Sequence, residues 1–226
     1  MLKAIKIRLY PNKEQSKYIN NLCGSYRKIY NLCLDRKMKA FNEEKINLGL
    51  SDLGKYFHQD LTKNEEYFYL NEHNTKVLKQ AILNLLDAYK RFFNHESDFP
   101  KFKSKKDKQS CRFPLDAISK SNIYSDSKIT LTKSLKDVKF ECSKRDKKYL
   151  SKYKETIKSA TLTKTKSDKY FLSILIENNV LASPKPINDY IGIDVGIKTF
   201  ITCSSSIIDS AAIMVFSNSL TLPGHE

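Results

Sequence analysis

The stretch Lys3-Ala4-Ile5-Lys6-Ile7-Arg8-Leu9-Tyr10 decides the fold, because its side chains alternate between apolar and polar character. A period of two residues is typical of a β-strand with one buried face. The buried face would carry Ile5, Ile7 and Leu9. The opposite face would carry Lys6, Arg8 and Tyr10, so a basic surface is predicted there. Pro11 and Asn12 end the strand, and Asn12 is a suitable cap for a helix that begins at Lys13.

Residues 13–96 are predicted to form a helical lobe, with a connection between helices at 43–50. Apolar side chains first recur every three or four positions, which predicts a helix with one buried stripe. That stripe consists of Ile19, Leu22, Tyr26, Ile29, Tyr30 and Cys33. A short helix is expected over 52–60, and a strongly amphipathic one over 75–94. The stripe of the latter consists of Leu78, Ile82, Leu85, Tyr89 and Phe92, thickened by Val77, Ala81, Leu86 and Phe93.

After Pro100 the period changes to two. Alternating segments at 128–131, 138–142, 159–164 and 169–177 predict an antiparallel sheet that is curled or closed. The first strand could share this sheet, with the helices as an insertion. The predicted fold class is therefore α+β: a wedge-like or OB-like β-barrel from residues 1–12 and 97–183, with an inserted helical lobe at 13–96. Pro184-Lys185-Pro186 makes a stiff joint before a further unit, 184–226.

The charge of the chain is strongly asymmetric. Its 40 Lys and Arg residues against 25 Asp and Glu residues give a formal net charge of +15. Residues 101–170 hold 21 basic and 8 acidic residues, a local excess of +13. A solvated loop would mix the signs, and an anionic membrane surface calls for an amphipathic helix, which Pro100 and Pro114 disfavour. The excess therefore favours a nucleic-acid partner.

The densest basic block runs from Phe99 to Phe113 and places aromatic residues between cations. Phosphates attract cations, and bases stack on flat apolar rings. The candidate nucleic-acid-binding residues are Lys101, Lys103, Lys105, Lys106, Lys108 and Arg112, together with Lys6 and Arg8 on the first strand.

The five cysteines are widely spread and include no Cys-x-x-Cys pair, so neither a disulfide framework nor a zinc ribbon is predicted. No long apolar run predicts a membrane helix, and the N-terminal residues lack the apolar core of a signal peptide. We expect a cytoplasmic protein with no membrane partner.

One motif suggests chemistry. Asp194 lies in the middle of the apolar run from Tyr190 to Ile201, between Gly192 and Gly196. A carboxylate there is costly to bury unless it binds a cation, although an ordinary strand with an edge aspartate is an alternative. Nucleases of the ribonuclease H type place such an Asp in their first strand, where it binds divalent ions. Sugar kinases and actin-like ATPases use a related phosphate turn, but here Ile197 occupies the hydroxyl position.

Five ordered blocks of the sequence resemble the TnpB/OrfB proteins of insertion sequences, relatives of the type V CRISPR effectors that are often labelled transposases. The blocks are residues 3–15, 26–31, 99–105 with 111–113, 158–161 with 169–171, and 192–196. The resemblance implies a wedge-like barrel, a helical lobe once described as helix-turn-helix, and a RuvC-type nuclease domain. Intact members are RNA-guided, Mg²⁺-dependent DNA endonucleases. By this resemblance Asp194 matches the first RuvC carboxylate and metal ligand, and Arg27 joins the candidate nucleic-acid-binding residues.

The sequence also departs from the family. A RuvC site needs a later Glu and a further Asp, and relatives carry a zinc ribbon between them. Asp209 lies only 15 residues after Asp194, too near to be the distant partner. One carboxylate cannot hold two metal ions, so cleavage by this chain alone is not expected.

Three hypotheses follow from that departure. The first is a truncated TnpB/OrfB protein that keeps its RNA- and DNA-binding parts and only the first strands of an RNase H-like (RuvC) domain. The second is a stand-alone regulator that binds RNA or DNA without cutting. The third is a nuclease subunit that a second chain completes.

Overall fold

The computed structural model describes residues 2–115, 127–153 and 156–177, together with the backbone of two short strands at 193–194 and 202–203. The chain divides into two compact units, Met1–Val180 and Leu181–Glu226. In the part of the chain that the structure describes, no helix is long and apolar enough to cross a membrane.

A six-stranded antiparallel sheet forms the centre of the first unit. Its strands are β1 (Leu2–Tyr10), β2 (Gln109–Pro114), β3 (Lys128–Ile129), β4 (Val138–Glu141), β5 (Ile157–Lys164) and β6 (Tyr170–Glu177). The order across the sheet is β2-β5-β6-β1-β4-β3, so the first strand lies between two late ones. The prediction that the first strand shares a sheet with the later ones is confirmed.

The sheet is open rather than closed. Strands β2 and β3 stand at its two ends, and no pairing joins them among the described residues. The predicted closed barrel is therefore not confirmed. The physical reason lies in β3, which is only two residues long and offers few backbone groups for closure.

Four α-helices accompany the sheet in the described part of the chain. They are α1 (Lys13–Glu44), α2 (Leu50–Lys55), α3 (Thr75–Phe93) and α4 (Lys144–Lys152), with a π-helical turn at Tyr56–Leu61 and a 3₁₀ helix at Glu65–Glu72 between α2 and α3. Helix α1 begins as predicted, because Asn12 and Gln15 form a reciprocal capping box. Helix α4 was not predicted, since it is rich in lysine and Leu150 is its one buried residue.

The core lies between the inner face of the sheet and the stripes of α1 and α3. Every residue of the predicted α1 stripe is buried, as are Ile5, Ile7 and Leu9 of β1. On α3 the predicted stripe is buried from Leu78 to Tyr89, which is 8% exposed, whereas Phe93 is 63% exposed. The prediction that Phe93 belongs to the core is therefore wrong: the helix ends at Phe93, past the last turn that faces the sheet.

The second unit contains one described pair of antiparallel strands, β7 (Ile193–Asp194) and β8 (Thr202–Cys203). Asp194 pairs in register with Thr202. The predicted strand around Asp194 is thus present. The prediction of a RuvC domain over 184–226 concerns residues that otherwise lie outside the described part of the chain.

Candidate nucleic-acid interface

A groove of about 1130 Å³ lies between α1, the loop 105–109 and the β5-β6 turn at 164–168. Its basic wall is formed by Arg27, Lys28, Lys105, Lys106, Lys164 and Lys166. Three carboxylates also line it, those of Glu72, Asp107 and Asp168. Cations therefore outnumber carboxylates, and a concave surface with an excess of positive charge attracts an anionic ligand.

Helix α1 fixes the start of the basic loop through Asn31. The Asn31 side-chain amide donates to the Lys103 carbonyl at 2.9 Å, and the Lys103 N–H donates to Asn31 Oδ1 at 2.8 Å. One side chain thus holds both polar groups of one backbone residue. We call this pair of hydrogen bonds the Asn31 bracket. Because the bracket holds the backbone immediately before the exposed lysines, it fixes the path of the loop.

Gln109 fixes the other end of the loop. Its Nε2 donates to the carbonyl oxygens of Asp107 at 2.8 Å and of Ser104 and Lys105 at 3.2 Å each. Arg27 of α1 donates from Nη1 to Gln109 Oε1 at 2.5 Å. Arg27 therefore positions the loop in this structure as well as lining the groove.

Asp107 closes the turn within the loop. Its Oδ2 accepts from the Ser104 N–H at 2.6 Å, and this hydrogen bond holds the pKa of the Asp107 carboxyl below its usual value. The negative charge is thus used to order the turn. Lys105 and Lys106 lie between Ser104 and Asp107 in this turn and are exposed, without a salt bridge to any described residue.

Lys103 contributes to the protein interior instead of the groove. Its ammonium lies 3.8 Å from the centroid of the Tyr30 ring, a cation–π contact. Burial lowers the pKa of Lys103. Together with the Asn31 bracket, this contact anchors the loop to α1.

The β5-β6 turn is tied to the same helix. Lys164 Nζ donates to Asn20 Oδ1 at 2.7 Å and forms an ion pair with Asp168 Oδ1 at 2.7 Å. The hydrogen bond with Asp168 raises the pKa of Lys164, so it stays protonated. Lys166, at the exposed tip of the turn, has no ion pair among the described residues and can face a ligand.

The structure brings together only some of the predicted residues. Arg27, Lys105 and Lys106 line the groove, and Lys108 is exposed in the same loop. Lys101 is exposed and pairs with Asp98 at 3.3 Å outside the groove. The others lie on the outward face of the sheet, and they are Lys6, Arg8 and Arg112.

Sequence reasoning did not find Lys28, Lys164 and Lys166. Lys28 follows Arg27 on the helix, and its ammonium lies 5.2 Å from the Tyr67 ring centroid. Lys164 ends the first of two strongly alternating segments, and Lys166 lies in the short turn between them. A tight hairpin with lysines at its tip was therefore the signal that could have identified them.

The cysteines pack as reduced thiols where the structure describes them. Cys111 of β2 donates to the Cys23 sulfur of α1 at 3.5 Å, and this contact lowers the pKa of Cys23 and raises that of Cys111. Burial raises the pKa of Cys33 to about 12. Among the residues whose side chains are described, no group of three or more His, Cys, Asp or Glu could hold a metal ion.

Comparisons with known proteins identify sequence relatives. A family model described as a helix-turn-helix domain, HTH_OrfB_IS605, matches residues 1–45. In the structure these residues form β1 and the single long helix α1. The chain is 26% identical over 204 residues to a Streptomyces pristinaespiralis protein named "Putative RNA-guided DNA endonuclease", covering 90% of this chain and 48% of that protein.

Two further curated relatives are similar. The InsQ protein of Escherichia coli (strain K12), which carries the same description, is 23% identical over 208 residues, which are 92% of this chain and 48% of that protein. The virulence protein VsdF of Salmonella dublin is 32% identical over 114 residues, which are 46% of this chain and 95% of VsdF. The chain thus spans about half the length of the two endonuclease relatives.

Among solved structures, a chain from a cryo-EM structure of a Cas12f1-sgRNA-target DNA complex is similar, with a TM-score of 0.44 and 19% sequence identity. The match covers 96% of this chain and 59% of that one.

Proposed function

The chain belongs to the TnpB/OrfB family of insertion-sequence proteins, and on that premise we propose that it binds RNA and DNA through the basic groove beside α1. The observation that carries the proposal is the groove itself. Exposed Lys105, Lys106 and Lys166 converge there, and none of them forms a salt bridge with a carboxylate of the described residues. Each phosphate that such a cation neutralises releases bound counterions, which favours association with any nucleic-acid sequence.

The order of the loop supports the same function. The Asn31 bracket and the Gln109 hydrogen bonds hold the loop backbone before any ligand arrives. Binding then avoids part of the conformational entropy that an unstructured lysine loop would lose. A loop that served only solubility would gain nothing from this bracing.

The relatives suggest which nucleic acids bind. Two of them are named as RNA-guided DNA endonucleases, so we propose a guide RNA and its target DNA as the partners, in the cytoplasm. We further propose that the open sheet is the framework of the family's wedge-like barrel. In this view the strand of Asp194 begins the RuvC domain.

Metal-dependent cleavage is not part of the proposal for this chain. In such sites Mg²⁺ activates water and stabilises the leaving oxygen. Asp194 would supply one carboxylate, and one carboxylate cannot hold two metal ions. The proposal therefore concerns binding.

The proposal is tested by fluorescence anisotropy with a labelled RNA hairpin and a labelled DNA duplex. A Lys105→Ala/Lys106→Ala double variant removes two groove cations. Each phosphate contact contributes roughly a fivefold factor at about 0.15 M salt, so we expect affinity to fall roughly 30-fold. The control is Lys101→Ala, which removes an exposed cation outside the groove. Equal losses for the two variants would show that the groove is not the binding site.

A further inference from the structure

The outward face of the sheet carries a second arrangement of cations and rings, distinct from the groove. Along β1 and β6 the inward side chains are buried, while Lys6, Arg8, Phe171 and Ser173 point to the other side. We propose that this face is a separate binding surface for single-stranded nucleic acid, on which an unpaired base stacks at Phe171. This goes beyond the groove, which recognises phosphates.

Phe171 is at the centre of the arrangement. Lys6 Nζ lies 4.5 Å and the Arg8 guanidinium carbon 4.9 Å from the centroid of the Phe171 ring. Arg8 is also 5.5 Å from the ring of Tyr10. The register explains this layering, because Arg8 lies directly opposite Phe171 across the β1-β6 pair. Planar groups and cations that alternate in this way offer both stacking surfaces and phosphate ligands.

Among the described residues, no carboxylate forms a salt bridge with Lys6 or Arg8 of this face. Glu141 lies opposite Arg8 on β4, but its Oε2 accepts from the Tyr10 hydroxyl at 2.8 Å. Among the described residues neither Lys6 nor Arg8 forms an ion pair, and Arg8 Nε is buried without a hydrogen-bond partner. A buried donor without an acceptor is destabilising, and the charge of the guanidinium, which forms no salt bridge with a described carboxylate, is available to an anionic partner.

A row of polar side chains crosses four strands beside Phe171. Arg112 pairs with Thr161, Thr161 with Ser173, and Ser173 with Lys6. Neighbouring strands are about 4.8 Å apart, so the two cations at the ends of the row are about 14 Å apart. A strand that runs across the sheet would therefore meet a cation on each side of the stacking ring. An unpaired base is required, because bases in a duplex already cover each other's faces.

The test compares three probes by anisotropy with the whole chain: oligouridine, oligothymidine and a blunt DNA duplex. Phe171→Leu keeps an apolar side chain but removes the ring, and Phe171→Tyr keeps the ring. The matched control is Leu175→Ala, outward on the same strand but away from both cations. Stacking contributes about tenfold per base, so Phe171→Leu should weaken single-strand binding about tenfold and leave duplex binding unchanged.

The outcomes separate this proposal from the groove. The stacking surface is overturned if Phe171→Leu binds single strands as tightly as the wild-type chain does. It is also overturned if the variant loses affinity equally for duplex and single strands. Retention of affinity by Phe171→Tyr and Leu175→Ala, with thermal melts unchanged, supports it. The stronger of the two single-strand probes shows whether RNA or DNA is preferred. No binding of any probe overturns the groove proposal together with this one.

Discussion

Replacing Asn31 with alanine tests whether α1 presets the basic loop. The side chain of Asn31 makes two hydrogen bonds to the backbone of Lys103, at 2.9 and 2.8 Å. The substitution removes both bonds and alters no charge of the groove. An effect on nucleic-acid binding would therefore report the order of the loop and not the number of its cations.

The expected loss of stability follows from those two bonds. Each contributes about 0.5–1.5 kcal/mol, so their loss costs about 1–3 kcal/mol. Alanine is the better helix former by about 0.5 kcal/mol, which offsets part of the loss. The matched control is Asn42→Ala, an exposed position on the same helix that isolates this propensity gain. Asn31→Ala should melt roughly 4 °C below the wild-type chain, for a net loss of about 1.5 kcal/mol, and roughly 6 °C below the control, for the full hydrogen-bond loss of about 2 kcal/mol.

The binding assay is anisotropy with the DNA duplex at several salt concentrations. Ordering even one further backbone residue on binding costs about 1.4 kcal/mol, so affinity should fall about tenfold. The slope of log affinity against log salt should stay unchanged, because the same phosphates are contacted. If the Asn31 and Asn42 variants had equal stability and equal affinity, the claim that Asn31 orders the basic loop would be refuted.

Further predictions concern the core, a buried thiol and metal ions. Phe113 is 1% exposed, so Phe113→Ala should lower the free energy of unfolding by about 3–5 kcal/mol in denaturant titrations. Burial raises the pKa of Cys33 from 9.0 to about 12, so only the unfolded thiol ionises in this window. Stability should fall as pH rises from about 9 to about 12, and less steeply in Cys33→Ala. EDTA should leave nucleic-acid binding unchanged, and Mg²⁺ should support no cleavage; cleavage abolished by Asp194→Ala would contradict the proposal.

Sequence patterns predicted those parts of the fold that depend on local periodicity. The alternation in β1 and β6 and the stripe of α1 each reflect burial of one face, which a single chain displays directly. Whether a sheet closes depends on pairing between its end strands, which no local pattern encodes. Phe93 shows the same limit, because its exposure depends on where α3 passes the edge of the core.

The sequence predicts that the candidate site is basic, but it does not predict the role of each basic residue. The block from Lys101 to Arg112 was recognised as basic, but the roles within it differ in the structure. Lys103 packs on Tyr30 and braces the loop, whereas Lys105 and Lys106 face the groove. These roles depend on contacts with α1, about seventy residues earlier in the chain. Composition predicts a polyanion-binding segment, and tertiary contacts decide which of its cations face the groove.

The salt dependence of duplex binding by the wild-type chain tests the central claim most directly. At least three exposed lysines that form no salt bridge with a described carboxylate face the groove, namely Lys105, Lys106 and Lys166. Each phosphate contact contributes about −0.9 to the slope of log affinity against log salt, so a slope of about −3 or steeper is predicted. A slope near zero, or one that the Lys105→Ala/Lys106→Ala variant leaves unchanged, would contradict the account.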